Sequence, residues 1–241
     1  MPAQAQVNVE PLRLRWEQRN GAAAFLSAAS TVRGGNSRDL QVGTSAAVGG
    51  RSRRHLAYVS GTLDHAQHNE QVVVSQAFVH ARYNYLWRRW VAAELFTQVE
   101  RDEFRRLRVR DLVGVGPRWT LVDVASRGIA VNWGHAYLLE YTHRGATDTA
   151  DEERSWSHRL STYLAVRVPV QDRILLSSVT YYQPRWVDWE DFRLLSVEGV
   201  RFQITERLSS RIDATLRYEE RVPEGVRRGD YEVKNSLELS F

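Results

Sequence analysis

The segment Tyr231-Glu-Val-Lys-Asn-Ser-Leu-Glu-Leu-Ser-Phe241 decides the fold of this 241-residue chain. Its odd-numbered positions are apolar apart from Asn235, and its even-numbered positions carry charged or hydroxyl side chains. Successive side chains of a β-strand point to opposite faces of a sheet. The segment therefore predicts a strand with one apolar face and one charged face.

The same alternation continues along the chain, which shows no helical periodicity and no linker from about residue 21 onward. About nine to eleven residues cross a bilayer as a tilted strand, and single-chain bacterial barrels have an even number of strands. The sequence thus predicts an all-β fold, a single transmembrane antiparallel up-and-down β-barrel of about 12 strands over residues 21–241. The predicted strands are 22–32, 38–49, 53–64, 71–85, 89–101, 107–121, 128–143, 156–169, 173–183, 192–204, 210–220 and 231–241.

Composition bounds the possible functions. The mean hydropathy of −0.45 suits a soluble protein, but lipid-facing and lumen-facing residues alternate in a membrane barrel, so their averages cancel. A soluble β-barrel is the alternative fold, and it would turn its apolar faces inward. The chain has no cysteine, which excludes disulfides and thiolate metal sites. Its arginines are spread among the strands rather than gathered on one stripe, so nucleic-acid binding is not predicted.

The polar faces of the predicted strands carry a dense set of charges of both signs, and a membrane barrel would turn them into its lumen. Such rings tune selectivity in an open pore, whereas cross-strand pairing would fill a closed interior; a barrel of this size permits both. In 192–204, Glu198 and Arg201 cannot share one polar face without a bulge or a register slip. The predicted lumen-lining residues are Arg82, Glu94, Glu100, Arg108, Arg110, Arg118, Arg167, Arg211, Asp213, Arg217, Glu219, Glu232 and Glu238.

Aromatic residues cluster near the ends of the predicted strands. Amphipathic rings concentrate at membrane interfaces, because the ring is apolar and its polar group needs a partner. With both termini in the periplasm, the clusters form two girdles, one at each rim of the barrel. The predicted girdle residues are Tyr83, Tyr85, Trp87, Trp90, Trp119, Trp156, Trp186 and Trp189.

The two ends of the chain carry further signals. Ala3-Gln4-Ala5 followed by Gln6 matches a small-x-small cleavage site, so residues 1–20 are interpreted as a signal-peptide remnant and a periplasmic lead-in. Phe241 ends the last predicted strand on an aromatic residue, which is typical of bacterial outer-membrane barrels. Phe241 is therefore the predicted assembly signal for the barrel-assembly machinery.

Several short motifs, in order along the chain, resemble one particular family. The motifs are Val7-Asn8-Val9-Glu10-Pro11-Leu12-Arg13, Gly35-Asn36-Ser37, Glu100-Arg101-Asp102, Gly114-Val115-Gly116 and Val222-Pro223-Glu224-Gly225. From about Val7 to Phe241 the chain resembles an uncharacterised family of bacterial outer-membrane β-barrels that includes the salt-stress-induced outer membrane protein. The resemblance implies a place in the bacterial outer membrane, in contact with lipid and lipopolysaccharide. It also implies a link to salt or osmotic stress.

No catalytic or cofactor motif stands out, so we expect neither an enzyme nor a bound cofactor or metal. His143 near Ser155 and Ser157 offers a weak Ser–His hydrolase arrangement, for which a surface histidine is the simpler explanation. Metal binding is possible in principle at His65 and His68 beside Asp64 and Glu70, and at the acidic loop 148–153. The alternative explanation is that both are ordinary solvated loops.

Two functions remain open at this point. The first is a small channel or envelope-maintenance barrel with a charged lumen, through which a small solute or ion would pass. The second is a structural or interaction barrel whose lumen is plugged and whose extracellular loops contact a partner.

Overall fold

The computed structural model describes residues 21–34, 40–68, 71–102, 107–145, 152–222 and 227–240. Their backbone forms twelve strands and one short 3-10 turn at Ala125–Arg127. No described helix is long and apolar enough to span a bilayer. The strands are β1 (Gly21–Gly34), β2 (Leu40–Ser52), β3 (His55–His68), β4 (Gln71–Arg88), β5 (Val91–Asp102), β6 (Leu107–Val124), β7 (Ile129–Arg144), β8 (Glu153–Gln171), β9 (Ile174–Arg185), β10 (Asp188–Gln203), β11 (Leu208–Glu219) and β12 (Gly229–Ser240).

Each strand pairs antiparallel with the next one along the chain, and β1 closes the sheet against β12. The closing register runs from Phe25 opposite Ser240 to Gly34 opposite Tyr231. The sheet therefore has no free edge, which satisfies every strand's hydrogen-bonding groups without water. The predicted twelve-stranded antiparallel barrel is confirmed.

The connections define two sides of the barrel. On the turn side, where β1 begins and β12 ends, residues 53–54, 89–90, 125–128, 172–173 and 204–207 link the strands. Gly128 has a φ of 64°, a left-handed conformation that suits glycine after the 3-10 turn. We call the opposite side the loop side. There the predicted strands 173–183 and 192–204 end too early, because β9 and β10 extend to a two-residue turn at Trp186–Val187.

The barrel is polar inside and apolar outside. Among the described residues, 24 polar or charged residues are buried against 16 hydrophobic ones. Large apolar side chains instead face outward along the strands, as Val113 and Val115 do at 50% and 53% exposure. A soluble barrel would have the opposite arrangement, because apolar surface is the part that water expels. The burial pattern therefore favours a barrel whose outer wall meets lipid.

Strand β7 gives the height of the apolar wall. Its outward residues Trp133 and Tyr141 are eight residues apart, which corresponds to about 26 Å along a strand and about 20 Å along the barrel axis at the usual tilt. Trp133 stacks on Trp119 with ring centroids 4.6 Å apart, and Tyr141 packs on Trp156 at 5.0 Å. Two aromatic clusters thus flank an apolar band, and the height of this band is close to the ~25 Å that is usual for a bilayer-facing wall.

The predicted girdle residues lie toward the same two ends of the barrel. Tyr83, Trp87 and Trp90 are exposed near the turn side, where Tyr85 and Trp119 are half-buried. On the loop side, the exposed residues are Trp156, Trp186 and Trp189. Their role as membrane anchors stays a prediction. Phe241 and residues 1–20 lie outside the described residues.

Strand β10 resolves the ambiguity at Glu198 and Arg201. The strand keeps one register against both neighbours from Phe192 to Phe202, so the two side chains point to opposite faces. Arg201 faces inward near Glu238, whereas Glu198 faces outward. On the outer wall, Ser178 and Ser196 donate hydrogen bonds to Glu198 Oε1 at 2.9 and 3.0 Å. No bulge is needed between the two residues, and one carboxylate stands on the lipid-facing wall.

We expect Glu198→Leu to raise the free energy of unfolding by about 1–2 kcal/mol, because an acidic side chain on the lipid-facing wall is unfavourable. Urea unfolding in lipid vesicles, followed by tryptophan fluorescence, measures the change. Glu153→Leu at the exposed start of β8 is the matched control and should leave stability nearly unchanged. A loss of stability in Glu198→Leu alone would contradict a lipid-facing position for this residue.

Candidate functional site

The lumen contains most of the charged residues that the sequence singled out. Eight of them are buried on the inner wall: Arg82, Glu94, Glu100, Arg110, Arg118, Arg211, Glu219 and Glu232. Four more are half-buried on the same inward faces: Arg167, Asp213, Arg217 and Glu238. The structure thus brings twelve of the thirteen predicted residues to the inner wall.

Arg108 departs from the prediction. The register of β6 shifts between Leu107 and Val109, so Leu107 takes the buried position and Arg108 turns outward. The Arg108 side chain is 62% exposed and pairs with Glu152 at 3.3 Å on the loop-side rim. A β-bulge at the end of a strand inverts the alternation on which the prediction relied.

A continuous chain of ion pairs follows the inner wall on the loop side. Arg110 donates from Nε to Glu140 Oε2 at 2.7 Å and from Nη1 to Glu100 Oε2 at 3.0 Å. Arg193 donates from Nη1 to the same Glu140 oxygen at 3.0 Å and from Nε to Glu219 at 2.9 Å. These five residues connect β5, β6, β7, β10 and β11, and we call them the charge ladder. Positive and negative groups alternate along it, so each buried charge has an opposite neighbour.

Glu140 is the centre of the charge ladder. Its side chain is 2% exposed and accepts hydrogen bonds from two guanidinium groups and, at 3.3 Å, from the Ser157 hydroxyl. Burying a carboxylate is costly unless it is both paired and hydrogen-bonded. The surrounding donors meet that condition. The neighbouring Arg159 is fixed in a similar way, since it donates to Asp191 Oδ1 at 2.9 Å.

A second charged cluster lies nearer the middle of the barrel around Glu94. Glu94 Oε1 lies 3.8 Å from Arg82 Nη1 and 3.9 Å from Arg118 Nε. Tyr163, three strands away on β8, donates its hydroxyl to Glu94 Oε2 at 2.8 Å. The Tyr163 ring reaches this far by lying against the wall rather than pointing at the axis.

Glycines on the intervening strands create the room for that ring. A Cβ at Gly134 of β7 would overlap the Tyr163 ring, and a Cβ at Gly114 of β6 would overlap the Phe96 ring. At Gly116, a Cβ would collide with the backbone of His135 and Ala136. Glycine usually weakens a strand, but here aromatic rings cover the bare backbone. The glycines therefore keep the bulky rings flat on the wall.

Several further inward charges form pairs between β12 and its surroundings. Arg217 lies 3.9 Å from Glu232, and Arg201 lies 3.3 Å from Glu238. Lys234 reaches Asp64 of β3 at 3.5 Å, across the small residues of β1 and β2. These pairs are partly exposed to the lumen, so solvent screens them more than it screens the charge ladder.

The lumen holds polar atoms that the protein itself does not satisfy. The buried atoms with no hydrogen-bond partner among the described residues include Asn84 Oδ1 and Nδ2, Arg159 Nε, Gln183 Oε1 and Arg217 Nε. Leaving such groups dry would cost about 1–3 kcal/mol each. Buried polar groups that lack protein partners are normally satisfied by water. Water held between the side chains would satisfy these inner-wall groups.

A cavity of about 960 Å³ enters the lumen from the turn side. It extends from the turns at residues 53–54 and 89–90 inward to Asn84, Arg118 and Asn132. We call this cavity the vestibule. Its lining is strongly basic: seven arginines contribute to it, against Asp123 as the single acidic residue.

A family model for a protein of unknown function, DUF481, matches residues 26–241. The chain belongs to the DUF481 family. No curated protein has a matching sequence. The family assignment agrees with the resemblance to uncharacterised outer-membrane barrels, whereas the link to salt stress is not part of it.

Solved membrane barrels share the fold. The NanC porin has 13% identity and a TM-score of 0.59, over 89% of this chain and 98% of that one. The translocator domain of the autotransporter NalP from Neisseria meningitidis has 10% identity and a TM-score of 0.52, over 97% and 95%. The KdgM porin has 10% identity and a TM-score of 0.50, over 90% and 99%. At these identities the similarity shows the fold alone. With its closed sheet and apolar outer wall, the protein is a β-barrel of the bacterial outer membrane.

Sequence reasoning missed several residues of the site. Glu140 went unassigned because the inward face of β7 mixes it with Ala136 and Leu138, so polarity does not alternate there. Arg193 was hidden in the same way by the buried Leu195 and Val197 of β10. Extending the inward period of each strand, regardless of polarity, would have found both residues. The exposed arginines of the vestibule, Arg53, Arg54, Arg88 and Arg89, lie in or beside turns, where no periodicity applies.

The hypotheses of a Ser–His hydrolase pair and of a metal site concern residues on or near the loop-side rim. His143 contacts Glu152, with Nε2 and Oε1 2.5 Å apart, and the hydrogen bond from His143 lowers the pKa of Glu152 below its usual value. Ser157 donates to Glu140 inside the lumen instead of to His143. Within the described part of the chain, no group of three or more histidine or acidic side chains could hold a metal ion. Most of the 148–153 loop lies outside the described residues.

Proposed function

We propose that this barrel is a narrow, water-filled channel that lets small charged solutes cross the outer membrane. The observation that carries the proposal is the polar and charged inner wall, which also holds buried atoms such as Asn84 Oδ1 and Arg217 Nε with no hydrogen-bond partner among the described residues. A barrel that served only as a scaffold would gain stability from a dry, apolar interior, because replacing buried ion pairs by packed hydrophobic residues is often neutral or stabilising.

The arrangement of bulky side chains supports the same function. Tyr163 and Phe96 lie over glycines, so their rings follow the wall instead of crossing the lumen. The charge ladder joins the neighbouring strands β5, β6 and β7 and the neighbouring strands β10 and β11 along the wall, and its Arg193–Glu140 pair bridges from β10 to β7. Charged groups held in this way can replace part of the hydration shell of a passing ion. The narrowest section is expected at the level of the charge ladder, where five buried charged side chains share the interior.

The alternative function is a barrel whose charge ladder closes the lumen and whose loops contact a partner. One ion pair supports this alternative, because Arg193 of β10 and Glu140 of β7 join strands that are three positions apart in the sheet. The link to salt or osmotic stress and the role in envelope maintenance belong to the channel proposal, through the family resemblance. Contacts with lipopolysaccharide and with the barrel-assembly machinery are proposed for either function.

Single-channel recording in a planar bilayer separates the two functions. The sample is refolded protein whose folded state is established by a heat-shifted gel band. The channel proposal expects stepwise, ion-selective conductance. A folded barrel that stays electrically silent would reject the channel and favour the closed, loop-presenting barrel.

We expect Arg217→Gln to shift the permeability ratio toward cations by about two- to fivefold, since a unit charge at about 4 Å contributes on the order of 1 kcal/mol in water. The substitution leaves Glu232 without its guanidinium partner on the inner wall. Reversal potentials in a salt gradient measure the change. Arg154→Gln, at a 63% exposed position on the loop-side rim, is the matched control. Equal ratios in wild type and Arg217→Gln would place Arg217 outside the conduction path.

A further inference from the structure

The vestibule differs from the rest of the lumen in its charge balance. The charge ladder sets Arg110 and Arg193 against Glu100, Glu140 and Glu219. The vestibule, in contrast, gathers seven arginines around one acidic residue. Such an excess of one sign in a concave, partly enclosed surface concentrates ions of the opposite sign.

The arginines at the mouth of the vestibule have no side-chain partner among the described residues. Arg53, Arg54, Arg88 and Arg89 are exposed, line the cavity, and form no side-chain hydrogen bond or ion pair with any residue that the structure describes. Arg118 and Arg167 line the same cavity farther inside. Asp123, the acidic residue of the lining, likewise has no ion-pair partner in the described part of the chain. The guanidinium groups at the mouth are therefore available to a ligand.

Two tight turns hold these side chains in place. Arg53 and Arg54 form the turn between β2 and β3, and Arg88 and Arg89 stand at the turn between β4 and β5. The two turns are tied together, since the Leu86 backbone N–H donates to the Arg54 carbonyl at 2.8 Å. Arginines on adjoining, hydrogen-bonded turns present their planar donor groups from neighbouring positions around one opening. Groups of this kind bind carboxylates and phosphates through paired hydrogen bonds.

We propose that the vestibule is a binding site for small multivalent anions that carry phosphate or carboxylate groups. Its volume of about 960 Å³ lies at the upper end of the range of about 300–1,000 Å³ that is usual for small-molecule sites. Several guanidinium groups around one cavity favour a ligand with at least two negative charges, because each charge can take its own arginine. The site goes beyond the proposed channel, since a barrel that conducts nothing can still bind an anion here.

The test is isothermal titration calorimetry, in which pyrophosphate or citrate is titrated into the full-length barrel in a neutral detergent. Arg53→Gln/Arg54→Gln removes two charges from the mouth of the vestibule. Arg173→Gln/Arg207→Gln removes two charges from exposed turn-side residues that do not line it, and is the matched control. A heat-shifted gel band and unchanged far-ultraviolet circular dichroism establish that both variants fold.

The proposal expects the vestibule variant to bind pyrophosphate at least about tenfold more weakly than wild type, and the control to stay within about twofold, since charge-assisted contacts act over short range at physiological salt. Equal weakening in both variants would show that the affinity depends only on the overall charge of the protein, and would overturn the site. Undetectable binding to the wild type would overturn it as well.

A third titration separates two sources of the same chemistry, a soluble anion and a lipid headgroup. Short-chain phosphatidylglycerol presents a phosphate with one charge on an acyl glycerol. One outcome is that this lipid binds the wild type and not Arg53→Gln/Arg54→Gln, while pyrophosphate and citrate bind neither protein. That outcome would overturn the soluble-anion site in favour of a lipid-headgroup site. Anion binding by an electrically silent barrel would reject the channel and retain the vestibule site.

Discussion

Glu140→Gln is expected to lower the free energy of unfolding by about 3–5 kcal/mol, which is the usual cost of leaving buried charges uncompensated. Glu140 accepts from Arg110 and Arg193, and both guanidinium groups are nearly inaccessible to solvent. Glutamine keeps the shape of the side chain but removes the negative charge. It also turns an amide donor toward two other donors. The charge ladder then carries two guanidinium groups against Glu100 and Glu219 at its ends, with no negative charge between them.

The measurement is urea unfolding of protein refolded in lipid vesicles, with the heat-shifted gel band as a second readout of the folded barrel. Glu190→Gln, an exposed acidic position on the same barrel, is the control and should change stability by less than about 0.5 kcal/mol. A double-mutant cycle between Glu140→Gln and Arg193→Gln is expected to give a coupling energy of about 1–3 kcal/mol. Additive effects of the two substitutions would show that the contact between Glu140 and Arg193 contributes nothing.

Gly116→Ala is expected to destabilise the barrel by about 3 kcal/mol or more, because an added methyl group would have to displace backbone rather than a flexible side chain. A Cβ at this position collides with the His135 carbonyl oxygen and the Ala136 Cα on β7. Strands β6 and β7 would have to separate or slip, and either change breaks the closed sheet. We expect loss of the heat-shifted band or a large fall in the urea midpoint.

Gly61→Ala is a closely matched control, since it adds the same methyl group to another strand of the same barrel. A Cβ at Gly61 makes ordinary contacts, the nearest at 3.5 Å to the Phe78 carbonyl oxygen. We expect no loss of stability and a gain of up to about 1 kcal/mol from the reduced freedom of the unfolded chain. Similar effects at both glycines would mean that the close approach of β6 to β7 does not require glycine.

Several features of the fold are local properties of the sequence. Alternation along β12 and β11 predicted which side chains share a face, and the faces of Arg211, Arg217, Glu219 and Glu232 follow from it. A period of two is fixed by the backbone of a single strand and needs no information about its neighbours. The same local rule failed at Arg108, because a bulge depends on how β6 meets the strands beside it.

The sequence by itself determined the twelve strands, most of their inward and outward faces, and the excess of charge that faces the lumen. The tertiary structure alone decided which charges meet. Glu140 and Arg193 are 53 positions apart and come together because closure of the sheet curves β7 and β10 toward each other. The tertiary structure also gathered Arg53, Arg54, Arg88 and Arg89 around one opening, since two turns become neighbours only when β3 and β4 pair. Pairing between distant positions depends on register and curvature, which are properties of the whole closed sheet and not of any one segment.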